Sequence, residues 1–149
     1  MKTLYTGFKG ENNSSFKLVS KFSGDKLFLT NSFSGLFYDI DNLSGEYDTV
    51  FMFGIDKNLI GNIRIEKCAQ KNNQLLYSSL SIEKIALRLS SASLSVHVSN
   101  VPTTYLCNEA YWHMLKKFHG NAIFIHIPSL KNITNDTMSS IVSALRAEA

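Results

Sequence analysis

Cysteine, proline and tryptophan are scarce: two, two and one among 149 residues. Cys68 and Cys107 have no CxxC spacing, so neither a zinc clip nor a disulfide framework is indicated, and a reducing cytosol fits best. No stretch of about 18 apolar residues occurs, which argues against a spanning helix. In the opening MKTLYTGFKGENNSS, Lys2 and a short apolar stretch are followed at once by polar and charged residues, unlike a secretory signal. Charge of one sign is also lacking. Fifteen Lys+Arg against twelve Asp+Glu leave +3, and the lysines are scattered, so a nucleic-acid partner is not expected. No linker, low-complexity segment or internal repeat appears. Apolar residues supply 44% of the chain, enough for one domain over residues 1–149 with a real core.

The periodicity alternates between strand and helix. Lys2–Phe8 reads as a strand. Asn13–Phe22 reads as a short helix, with polar capping residues ahead of Phe16, Val19 and Phe22. Lys26–Thr30 reads as a strand, and Leu36–Ile40 as another between turn-rich flanks. Over Lys26–Glu46 a helical crossover is expected to be missing or replaced by a hairpin. Thr49–Ile55 and Ala122–Ile127 are continuous apolar runs, as strands covered on both faces require. Asn62–Ala69 alternates, with Ile63 and Ile65 facing one way and Arg64, Glu66 and Cys68 the other. Ser81–Leu89, Tyr105–Phe118 and Met138–Arg146 read as helices, and Leu94–Ser99 as a strand. This order predicts an α/β fold, a three-layer α/β/α sandwich on a mostly parallel mixed sheet.

Three side chains carry the chemistry. Pro102 and two threonines break the strand before SNVPTTYLCN, and Thr104 is placed as a helix N-cap. Cys107 then falls in the first turn, where unpaired amides and the helix dipole favour a thiolate and can bind an oxyanion. A buried, inert thiol is the other reading. His126 sits at the C-terminal end of the apolar strand AIFIHI, which Pro128 stops, at the strand end where α/β sheets gather their ligands. A satisfied core histidine is its alternative. Glu66 is either a carboxylate that orients an imidazole or a solvent-facing partner of Arg64 or Lys67. Cys68 reads as a packed thiol, and His113 and His119 as solvated. Tyr111, Trp112 and Leu115 form a core stripe.

Four segments resemble the type I pyroglutamyl peptidases (pyrrolidone-carboxylate peptidases). LYTGF at 4–8 is similar to the family's opening strand and turn. NIRIEKCA at 62–69 is similar to the segment with its catalytic glutamate, which falls on Glu66. VSNVPTTYLCN at 98–108 resembles its nucleophile motif, with Cys107 in place, and FIHIPSL at 124–130 its histidine motif, with His126 in place. The resemblance implies a cysteine peptidase that removes N-terminal pyroglutamyl residues from peptides. It also implies a Cys107–His126–Glu66 triad, Phe8 and Tyr105 as the aromatic ring clamp, no cofactor, a cytoplasmic setting and a homodimer or tetramer. The sequence departs from the pattern in its substrate loops. KGENNSS follows TGF where the family has a double-glycine stretch, and Ile55 stands where the family has a lactam-binding glutamine. A non-catalytic or altered-specificity binder on the same fold is therefore the alternative function.

Overall fold

The structure is a computed structural model describing residues 2–146. The strands are β1 (Thr3–Phe8), β2 (Asp25–Leu29), β3 (Thr49–Ile55), β4 (Ile63–Glu66), β5 (Cys68–Lys71), β6 (Gln74–Tyr77), β7 (Val96–Ser99) and β8 (Ala122–Ile127). The helices are α1 (Ser14–Ser20), α2 (Phe33–Asp41), α3 (Ile82–Ser91), α4 (Tyr105–Lys117) and α5 (Asn135–Leu145). The main sheet has the order β2-β1-β3-β8-β4-β7. Strands β2, β1, β3 and β8 run parallel. Strands β4 and β7 are parallel to each other and opposed to β8. The expected mixed, mostly parallel α/β sheet is therefore present.

Side-chain parity divides the core into two layers. Along β3, Val50 and Met52 point to one face, and Phe51 and Phe53 to the other. Along β8, Ala122 and Phe124 oppose Ile123, Ile125 and Ile127. The first face is covered by α2 and α4 through Leu36, Ile40, Ala110, Tyr111, Met114 and Leu115. The second is covered by α1, α3 and α5 through Leu18, Val19, Ile85, Leu89, Met138, Ile141 and Leu145. Each buried Leu or Ile contributes about 1.5–3 kcal/mol, so both layers add strongly to stability. The same parity places Gly54 and His126 on the α4 side, because they follow Met52 and Phe124 by two residues.

Three expectations need correction. Leu36–Ile40 lies inside helix α2 rather than in a strand, so the crossover in this region is present. Leu36 and Ile40 are buried at i and i+4 while Phe37 and Tyr38 are exposed, which is helical and not two-residue periodicity. Ser32 caps that helix by accepting from the Gly35 amide at 3.0 Å. Asn62–Ala69 is not one strand. It breaks at Lys67, whose amide bonds Ser99 and whose carbonyl accepts from Ser78, so β4 stays in the main sheet while β5 leaves to pair with β6. That hairpin was not anticipated. Its turn residues Asn72 and Asn73 both have positive φ, as a two-residue hairpin turn of the I′ type requires. Lastly, His113 is not solvated. It is half-buried and packs edge-on to Phe37 at 4.8 Å between centroids, and burial lowers its pKa.

Candidate functional site

The C-terminal ends of β1, β3 and β8 meet at one rim of the sheet, beside the start of α4. A cavity of about 610 Å³ opens there, lined among others by Phe8, Ile55, Tyr105, Cys107 and His126.

Its floor is set by strand pairing. Gly54 lies opposite His126 across the β3–β8 ladder, and Arg64 lies opposite His126 across the β4–β8 ladder. Glu66, two residues after Arg64, shares its face, as the alternation in IRIE requires. The Glu66 carboxylate is 1% exposed and His126 3%. Glu66 Oε2 lies 2.8 Å from His126 Nδ1. A buried carboxylate and a buried imidazole each need a partner, and here they supply one another. With Nδ1–H donating to Glu66, the other ring nitrogen, Nε2, is the one left to accept a proton. The same Oε2 accepts from Arg64 Nε at 2.6 Å, and Arg64 Nη1 reaches Asp56 Oδ2 at 2.9 Å. Burial opposes charge on Asp56, but the Asn58 amide and Arg64 outweigh it and hold the carboxyl pKa below its ordinary value.

Cys107 is held over Gly54. A Cβ built on Gly54 would stand 2.9 Å from Cys107 Sγ and 2.6 Å from the Phe124 ring, so only glycine leaves room for the sulfur beside the sheet. Helix α4 brings the thiol there. Its core stripe, including Tyr111 and Leu115, packs on the sheet, and the Tyr111 hydroxyl donates to the Glu66 carbonyl at 2.8 Å. Thr104 occupies the N-cap position with extended backbone, as expected, but its side chain makes no capping hydrogen bond. The first-turn amides are thus without the usual side-chain acceptor.

The expected low thiol pKa is not found. Burial pushes the Cys107 thiol up to about 12, and the charges of Glu66 and Asp56 add to this against the opposing effect of Arg64. Desolvation and two nearby carboxylates outweigh the favourable helix terminus. The resting sulfur is a thiol, and it needs a base to ionise.

Phe8 and Tyr105 both line the cavity, from opposite conditions of burial: Phe8 is 5% exposed and Tyr105 74%. Tyr105 has φ +62°, uncommon for a bulky residue, and its ring meets Phe33 edge-on at 5.5 Å. Cys68 is buried, and its Sγ donates to the Asn100 carbonyl at 3.3 Å, in keeping with a packed thiol. Arg64, Asp56 and Gly54 were not singled out from the sequence as parts of the site. The IRIE alternation was the available signal for Arg64, whereas Gly54 and Asp56 are recruited only by strand pairing. No group of three or more His, Cys, Asp or Glu side chains among the described residues is arranged to hold a metal ion. No helix among them is long and apolar enough to cross a membrane.

No protein-family model matches the sequence, and no curated protein does. Solved structures do match. The pyrrolidone carboxyl peptidase from Thermus thermophilus superposes with a TM-score of 0.79 at 18% identity, covering 96% of this chain and 97% of that one. The pyroglutamyl peptidase I of Bacillus amyloliquefaciens gives 0.79 at 17% identity, with 97% and 92% covered. The pyrrolidone carboxyl peptidase from Thermococcus litoralis gives 0.77 at 18% identity, with 97% and 91% covered. The chain has the fold of the pyrrolidone carboxyl peptidases.

Proposed function

We propose that the protein is a cysteine peptidase that removes N-terminal pyroglutamyl residues from peptides. The observation that carries the reading is the buried His126–Glu66 pair at 2.8 Å on the floor of the cavity that Cys107 lines. In this reading His126 Nε2 takes the proton of the Cys107 thiol as the sulfur attacks the pyroglutamyl carbonyl carbon. Glu66 keeps the ring in the tautomer with the proton on Nδ1 and stabilises the imidazolium that forms. The uncapped first-turn amides of α4 donate to the oxyanion. The C–N bond then breaks, His126 protonates the departing amine, and a thioester remains on Cys107. Water, deprotonated by His126, attacks the thioester carbonyl and releases pyroglutamate, and the proton returns to the sulfur.

Phe8 and Tyr105 are the faces between which a flat, uncharged lactam ring would lie. The chain needs no cofactor in this scheme. A cytoplasmic setting, a single domain over residues 1–149 and a homodimer or tetramer complete the proposal. A non-catalytic binder on this fold is the second reading, favoured by the apolar Ile55 on the cavity wall and by the protonated resting thiol.

Hydrolysis of a fluorogenic pyroglutamyl amide separates the two. Turnover by the wild-type protein, abolished in Cys107→Ala, is the expected result. Binding of a pyroglutamyl ligand without turnover, together with a Cys107 inert to iodoacetamide, would overturn the peptidase reading.

A further inference from the structure

Among the described residues, Arg64 is the one cation that touches the buried pair, and the proposed mechanism gives it no task. It stands directly opposite His126 on the neighbouring strand. Its Nε donates to Glu66 Oε2 at 2.6 Å, its Nη1 to Asp56 Oδ2 at 2.9 Å, and its Nη2 lies 3.4 Å from His126 Nδ1. One carboxylate oxygen therefore receives both the guanidinium and the imidazole. The planar fork of the guanidinium fixes where that oxygen sits, and a lysine ammonium has no such fork.

We propose that Arg64, anchored by Asp56, is a positioning residue that holds the Glu66 carboxylate against the His126 ring and balances the charge the ring faces. The inference rests on the reading of Cys107, His126 and Glu66 as the reacting groups. The charge count gives its physical content. Asp56, Arg64 and Glu66 sum to one negative charge, which a protonated imidazole cancels. Of the remaining titratable groups lining the cavity near the ring, Cys107 on α4 is a neutral thiol, Lys57 stands exposed on the rim after β3, and the Tyr105 side chain is largely exposed. Without the Arg64 charge the ring faces two negative charges, which favour the imidazolium over the neutral base. Without the Asp56 charge the sum is zero, and the imidazolium is disfavoured.

The test is an NMR titration of the His126 ring in the resting protein, with its signals assigned by their loss in His126→Gln. Arg64→Met is expected to move the titration upward by about one pH unit, and Asp56→Asn to move it downward. Arg64→Lys restores the charge without the fork. It is expected to titrate near the wild type while kcat on a pyroglutamyl amide stays about tenfold or more below it, with KM little changed. Asp56 is on the partly exposed rim and its Oδ1 contact to the Asn58 amide survives in asparagine, so that variant keeps the test alive should Arg64→Met fail to fold. Opposite shifts in the two charge variants, or the downward shift alone should Arg64→Met not fold, support the inference. Any other pattern overturns it. The titration needs no substrate, so a wild-type protein that shows these shifts but cleaves no pyroglutamyl amide would sink the peptidase reading alone.

Discussion

The floor and the mouth of the cavity are built by different means. At the floor His126 lines the cavity, and behind it Gly54, Arg64 and Glu66 sit on the paired strands, where a ladder register decides which residues meet. At the mouth, Tyr105 is largely exposed with left-handed backbone, and Lys57 and Asn58 are exposed. The floor is fixed by pairing and by the need to satisfy buried charge. The mouth is made largely of exposed side chains. The candidate reacting groups are thus anchored in the sheet, while the proposed substrate contacts lie at exposed positions that can vary without disturbing them.

The sharpest way to break this contrast is at the floor. Cys107→Ser or His126→Gln should lower kcat on a pyroglutamyl amide by about 10⁴-fold or more while substrate binding persists. Glu66→Gln keeps the shape but removes the charge shared by His126 and Arg64. It should cost about 10²–10⁴-fold in kcat and also lower the melting temperature, because Arg64 loses one of its two anions.

Next in size is Gly54→Ala. The added methyl would overlap Cys107 Sγ and the Phe124 ring, so about 1–3 kcal/mol of stability should be lost in urea melts, with turnover reduced.

The thiol gives a pH-dependent prediction. A folded pKa of about 12 lies above the ordinary thiol value of 9.0, so the folded state keeps a proton that the unfolded state releases. The stabilisation is fully present below pH 9 and is lost as pH rises towards 12. Comparing wild type with Cys107→Ala at pH 8 and pH 11 should isolate roughly 2 kcal/mol of alkaline destabilisation. The smallest effect belongs to the mouth. Tyr105→Ala should change stability by less than about 1 kcal/mol, yet raise KM. A Tyr105 variant that unfolds the protein would erase the distinction between the two regions.

The strongest strands were legible because both of their faces are buried. Thr49–Ile55 and Ala122–Ile127 are apolar throughout, and the sheet covers them on both sides. The three candidate groups were legible for a related reason. A histidine closing such a strand and a cysteine just inside a helix are costly or unusual placements, and the alternation in IRIE put Glu66 on the face opposite Ile63 and Ile65. What the sequence hid depended on partners far along the chain. Leu36–Ile40 is too short an apolar run to separate strand from helix by composition, and the buried pair at i and i+4 emerges only against α4. The break at Lys67 depends on Ser99 and Ser78. The expected acidic thiol failed because the helix start was weighed without the burial and the two carboxylates that the fold brings to it.

The central claim is that Cys107 is the nucleophile, with His126 as its base. Treating the protein with a pyroglutamyl chloromethyl ketone and mapping the modified peptide by mass spectrometry tests it most directly. The account predicts a thioether on Cys107, with loss of chloride, that forms far more slowly in His126→Gln and leaves Cys68 untouched. Equal labelling of Cys68, or a rate at Cys107 that ignores the loss of His126, would contradict it.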